Sequence, residues 1–158
     1  VILKPEIEKL INDQIGAEQY AHVFYKALAD WADLNAFPGL KGWAENSSQE
    51  ELTHAQLFID YLNDRGKVVL GQIIAPPNEY KDYLAVMQAA LKAEQAVSAH
   101  LELLSSSALL VSDFPTYQLA SNWLLTEQVK SEKEIQDFIK IISRGSPIDL
   151  LDRELYED

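Results

Sequence analysis

Residues 40–62, LKGWAENSSQEELTHAQLFIDYL, decide the fold. Leu40, Ala44, Ser47, Glu51, His54, Phe58 and Leu62 recur at steps of three and four residues, which is one face of a helix. Two members of that apolar stripe, Glu51 and His54, are metal-type ligands. Three residues apart on a helix, they are neighbours and can hold one ion together. A lone ionised carboxylate in an apolar core costs on the order of tens of kcal/mol in the Born limit. A cation, a shared proton or water must therefore meet it.

The same signature appears on both sides of this stretch. A first helix is predicted over 5–34, with Ile11, Ile15, Glu18, Ala21, Tyr25, Leu28 and Ala32 on one face. A third is predicted over 78–110, with Leu84, Met87, Leu91, Glu94, Ser98 and Leu101. A fourth is predicted over 115–143, with Ala120, Leu124, Gln128, Ser131, Ile135, Phe138 and Ile142, and a short fifth over 148–155. Pro38-Gly39 breaks the chain before the second helix, and Gly66 stands where a C-terminal cap is expected. The connection over 67–78 is long and apolar at Val68, Val69, Leu70, Ile73 and Ile74, which predicts a crossover joining two parallel helices. The expectation is an all-α protein: a four-helix bundle with one long crossover and a short C-terminal fifth helix, a single domain over 1–158.

Glu18, Glu51 and Glu94 thus each interrupt an apolar seam. A shared pair of metal ions is the simplest solution to three acids in one core. The competing reading pairs them with His22, His100, Lys26, Lys92 or Lys130. The net charge of −12 disfavours nucleic-acid binding through phosphates. Absence of cysteine excludes thiolate metal sites and Cys nucleophiles. No stretch approaches the roughly 20 apolar residues of a membrane span. A cytoplasmic location fits, although a removed leader would be unseen.

Four segments together resemble the ferritin family over nearly the whole chain. They are Glu18-Gln19-Tyr20 with Tyr25 seven residues beyond Glu18, Gln49-Glu50-Glu51-Leu52-Thr53-His54, Lys92-Ala93-Glu94-Gln95, and Thr126-Glu127-Gln128-Val129-Lys130-Ser131. Di-iron bundles of this kind take one Glu from each of two helices and Glu-x-x-His from the other two. Gln128-x-x-Ser131 is a degraded second motif. Residues 127–130 are similar to animal heavy-chain ferritins. The opening Leu3-Lys4-Pro5 and the tail Asp152-Arg153-Glu154-Leu155 are more similar to bacterial ones.

The resemblance implies a ferritin-like bundle with a ferroxidase centre, in which two Fe(II) ions are oxidised by O2 or H2O2. It implies that Glu18 and His54 ligate the first iron, Glu51 bridges both, and Glu94 ligates the second with Gln128 beside it. Tyr25 becomes an oxidisable residue near the site, and assembly into a 24-subunit homo-oligomer is implied. Glu50 and Glu127 match a third iron site, but Lys130 and Ser131 replace two of its acids. Gln118 and Ser121 align with acids of the animal three-fold channel. Leu52 stands where bacterioferritin needs a haem-ligating Met, so haem is not expected. A di-iron oxidase or oxygenase and a purely structural bundle are the alternatives. Bulky Phe24, Tyr25, Phe58 and Trp123 near the site predict little room for an organic substrate.

Overall fold

The computed structural model describes residues 2–157; Val1 and Asp158 lie outside. It is all-helical among the described residues: α1 Pro5–Leu34, α2 Pro38–Asn63, α3 Tyr83–Leu110, α4 Phe114–Trp123, a π-helical turn Leu124–Gln128, α5 Val129–Ser143 and α6 Ile148–Glu157. No helix in the described residues is long and apolar enough to cross a membrane.

Helix boundaries follow local chemistry. Pro38 does not separate α2 from the preceding turn but opens the helix, since a proline fits a first turn whose N–H would be unpaired anyway. α3 starts at Tyr83, five residues later than the stripe predicts. The reason is Asp82, whose Oδ1 accepts the Ala85 N–H at 2.8 Å and nucleates the helix there. The crossover accordingly runs to residue 82, with no strand. Gly66 does not take the left-handed conformation of a C-terminal cap. A Cβ there would sit 2.5 Å from Glu8 Oε2 and from a methyl of Leu3, so those two side-chain ends would have to shift.

Side-chain bonds fix the topology. Asn12 on α1 donates to the Lys67 carbonyl and accepts the Val69 N–H, so the start of α1 meets the end of α2 and the two run antiparallel. Arg65, just past α2, pairs with Asp113 in the turn that follows α3. At the other end, Asp152 of α6 accepts the N–H groups of Gly39 and Leu40 at the start of α2 and the hydroxyl of Tyr83 at the start of α3. α2 and α3 therefore run parallel. A 26-residue α2 is about 39 Å long at 1.5 Å per residue, which explains the length of the crossover.

Asp152 is buried and holds three donors from two helices. Asp152→Ala would orphan two helix N-terminal amides and a phenol. We expect a loss of about 3 kcal/mol, visible as a lower thermal midpoint in calorimetry, with Asp152→Asn costing less.

The core is in two parts. One cluster joins Phe24, Tyr25, Leu28, Leu40, Ala44, Met87 and Ile135. The other joins Ile7, Ile11, Ile15, Phe58, Leu62, Leu101, Leu104 and Ala120. Along every bundle helix a polar layer separates them: Glu18 on α1, Glu51 and His54 on α2, Glu94 on α3, and Gln128 at the end of the π turn.

Candidate metal centre

Each residue of the polar layer is placed by its helix register. Glu18 is 0 % exposed and Glu51 6 %. Glu18, Glu51 and His54 each offer a ligand atom within 4.8 Å of the others. His54 Nδ1 lies 3.4 Å from Glu51 Oε2 and 3.7 Å from Glu18 Oε2. Neither His54 Nδ1 nor Glu18 Oε2 has a hydrogen-bond partner, although both are buried. Such unpaired donors are rare in folded proteins, and this set is of the kind that holds a cation. Oxygen donors with one imidazole suit iron, and they accept zinc or manganese as well.

Glu94 stands outside that group of three and faces the same space. Its Oε1 accepts the Tyr25 hydroxyl at 2.6 Å, and its Oε2 accepts Gln128 Nε2 at 3.1 Å. Gln128 also donates to Ser98 Oγ. The π turn that carries Gln128 was not legible as such in the helical stripe. Hydroxyls in and before it, Thr126 and Ser121, bond back to carbonyls one turn earlier and offer the backbone an alternative partner. π turns of this kind often mark functional positions.

A second set of polar residues orients the first. Gln14 Nε2 donates to Glu18 Oε1 at 2.8 Å, and Gln14 Oε1 meets His100 Nδ1 at 2.6 Å. His100, one of the candidate partners of the acids, is thus linked to Glu18 through one amide. Gln14 could have been found in the sequence: it precedes Glu18 by four residues, on the same helix face. His22 is bonded to Ser48 instead. Lys26, Lys92 and Lys130 are all exposed. None forms an ion pair among the described residues. Pairing the acids with lysines, the competing reading, does not occur there.

A cleft of about 490 Å³ reaches this layer, lined by Tyr25, Trp43, Glu50, Glu51, His54, Glu94, Ser131, Glu134 and Phe138 among others. The expectation that aromatic bulk leaves little room is therefore corrected. Phe58 packs in the second core cluster, and Trp123 turns its edge onto His54 with centroids 4.6 Å apart, so neither closes the cleft. Of the pair Glu50 and Glu127, only Glu50 lines it; Glu127 sits half-buried on the π turn. Glu134, an exposed residue, lines the cleft and accepts the Trp43 indole N–H at 2.8 Å.

Burial pushes the Glu51 carboxyl up to about 9, reinforced by the neighbouring Glu18. Burial would lower His54, but Glu18 and Glu51 more than offset it and raise the imidazole to about 10. Glu18 is also penalised by burial, yet the nearby Glu51 carboxyl and His54 imidazole, with the Gln14 amide, hold it below the usual range. Burial raises Glu94. At neutral pH the metal-free group therefore holds an ionised Glu18, a protonated Glu51 and a protonated His54. A divalent ion must displace the last two protons.

We expect release of about two protons per chain when Zn(II) binds at pH 7, and fewer as the pH approaches 10. Calorimetric titrations in buffers of different ionisation enthalpy measure this, and binding without proton release would contradict the assignment. The sign for stability follows. Both groups bind their proton more tightly folded than unfolded. Their contribution is complete below 4.5 for Glu51 and 6.5 for His54, and it is lost as pH rises through about 9 and 10.

Comparison with known proteins bears on the family of the bundle. A family model described as the ferritin-like domain matches residues 8–145. The bacterial non-heme ferritin of Escherichia coli O6:H1 is 29% identical over 159 residues, covering 98% of this chain and 96% of that protein. The soma ferritin of Lymnaea stagnalis is 34% identical over 146 residues, covering 90% and 84%. An open-pore ferritin from the hyperthermophilic archaeon Archaeoglobus fulgidus, known from crystal structures, superposes with a TM-score of 0.92 at 30% identity, covering 98% of this chain and 96% of that one. A bundle matched end to end by such relatives, with acids and an imidazole layered between two halves of its core, belongs to the ferritin family.

Proposed function

We propose that this chain, as a single domain, is an iron-storage ferritin that oxidises Fe(II) and deposits Fe(III) mineral inside a homo-oligomeric shell. In this reading Glu18 and His54 hold a first Fe(II), Glu51 bridges to a second, and Glu94 holds the second with Gln128 beside it. O2 or H2O2 takes the electrons. The observation that carries the reading is the unpartnered pair of buried donors, Glu18 Oε2 and His54 Nδ1, beside Glu51. Tyr25, through its bond to Glu94, orients the ligand of the second iron. Glu50 and Ser131 line the way out of the centre along the cleft. Lys130 in place of an acid opposes a stable third iron near Glu127, because a neighbouring cation disfavours metal binding.

A 24-subunit shell is the expected assembly, with the exposed Val69, Leu70, Ile73 and Ile74 of the crossover as one contact. The cleft keeps a second reading alive, a di-iron oxidase of an organic substrate. One experiment separates them: native mass before and after Fe(II) is added in air. Storage predicts a large particle that retains many irons per chain. An oxidase retains about two, the content of a di-iron site. A structural bundle retains none.

A further inference from the structure

We propose that His100 is a positioning residue for the metal centre: through Gln14 it fixes which oxygen of Glu18 faces the ion. The proposal rests on the reading above only as far as Glu18 is a metal ligand. Gln14 is 0 % exposed and lies on α1, four residues before Glu18. Its Nε2–H donates to Glu18 Oε1 at 2.8 Å, and its Oε1 meets Nδ1 of His100, on α3, at 2.6 Å. An amide oxygen only accepts, so His100 Nδ1 carries the proton in that bond. Burial holds the His100 imidazole below its usual value, so at neutral pH the ring is uncharged and this is its one N–H.

The direction of these bonds matters because a glutamine amide is nearly symmetric in shape. Turned end for end, Gln14 would fill the same space and set its oxygen against the Glu18 carboxylate, acceptor against acceptor. The His100 N–H removes that alternative, since the turned amide would bring NH2 against N–H. A buried amide needs partners at both ends for its own sake. Packing does not require that one partner be a fixed donor on another helix while the other is a metal-type carboxylate. The consequence falls on Glu18. With Oε1 held by Gln14, one oxygen is left, and it is Oε2, the buried atom without a partner, 3.7 Å from His54 Nδ1. The series His100, Gln14, Glu18 thus presents a single aimed oxygen to a first ion and leaves its other coordination positions open. Without the series, Glu18 has to be ordered as the ion arrives, and both its oxygens are free to turn inward.

Three variants at one position separate this role from packing. His100→Asn keeps an N–H where Nδ1 stands. His100→Leu has similar bulk and no donor. His100→Asp matches His100→Asn in shape but offers acceptors, so it draws the Gln14 NH2 to itself and turns the amide oxygen onto Glu18. Co(II) is titrated into each intact protein and followed by its visible bands, which strengthen as coordination number falls. His100→Asn should bind Co(II) as the wild type does, with the same bands. His100→Leu should bind about 10-fold more weakly and His100→Asp up to about 100-fold, both with fainter bands, the range that follows loss of a partner orienting a ligand. If His100→Leu and His100→Asp bind Co(II) like the wild type, the positioning role is wrong and the ligand reading stands. If His100→Asn loses as much as His100→Leu, the ring's packing and not its N–H matters, which also overturns the proposal. Should His100→Leu not fold, the pair His100→Asn and His100→Asp, equal in size, decides by itself. A wild type that binds no Co(II) at the centre removes the ligand reading and the proposal with it.

Discussion

Glu51→Ala should slow aerobic Fe(II) oxidation by at least about 100-fold, the largest loss for any single residue of the centre. Glu51 is the only acid proposed to touch both irons. Without it the two ions lose a shared charge and their fixed separation, so electrons no longer leave as a pair. The same change should not lower the stability of the metal-free protein at neutral pH. Glu51 is buried beside Glu18 and held protonated by that environment, so removing it relieves a desolvated group rather than a stabilising one. Stopped-flow absorbance for Fe(III) and calorimetry of the metal-free chain measure the two halves. Oxidation at the wild-type rate would sink the bridging role. A severe loss of thermal stability would instead make Glu51 a structural residue. His54→Ala should cost less, since it removes a ligand from one ion only.

Ile74→Glu, or Leu70→Glu, should dissolve the proposed shell into small species. Leu70 is 61% exposed and Ile74 75% exposed in the single chain, beside the exposed Val69 and Ile73. A carboxylate placed in the contact they are proposed to make would be buried without a partner, at a cost of about 3 kcal/mol or more in each copy of that contact. Sedimentation velocity should show loss of the large particle. The first two irons per chain should still be oxidised, because every proposed ligand lies within one bundle. A variant that sediments like the wild type would remove the crossover from the interface.

Much of the architecture was legible because helical amphipathicity is local. The spacing of Ile11, Ile15, Leu28 and Ala32, with Pro5 as a helix start, predicts α1, and the apolar 67–78 segment predicts the crossover. Where local chemistry overrides periodicity, the stripe misleads. Asp82 delays α3, Pro38 opens α2 rather than ending a turn, and back-bonded Thr126 widens the fourth helix into a π turn.

For the candidate centre, sequence alone determined which residue types interrupt the apolar seams: Glu18, Glu51, His54, Glu94 and Gln128. That follows from desolvation, since a carboxylate in a core stripe demands a partner whatever the fold's details. Only the tertiary structure decided what that partner is not. It carries the lysines to the surface, ties His22 to Ser48, and leaves Glu18 Oε2 and His54 Nδ1 without a partner. It also brought in Gln14 behind Glu18, Trp43 against Tyr25, and Glu134 from another helix to the cleft wall. No sequence spacing encodes the bond between Trp43 and Glu134, 91 residues apart, because it depends on how the whole bundle sets α2 beside α5.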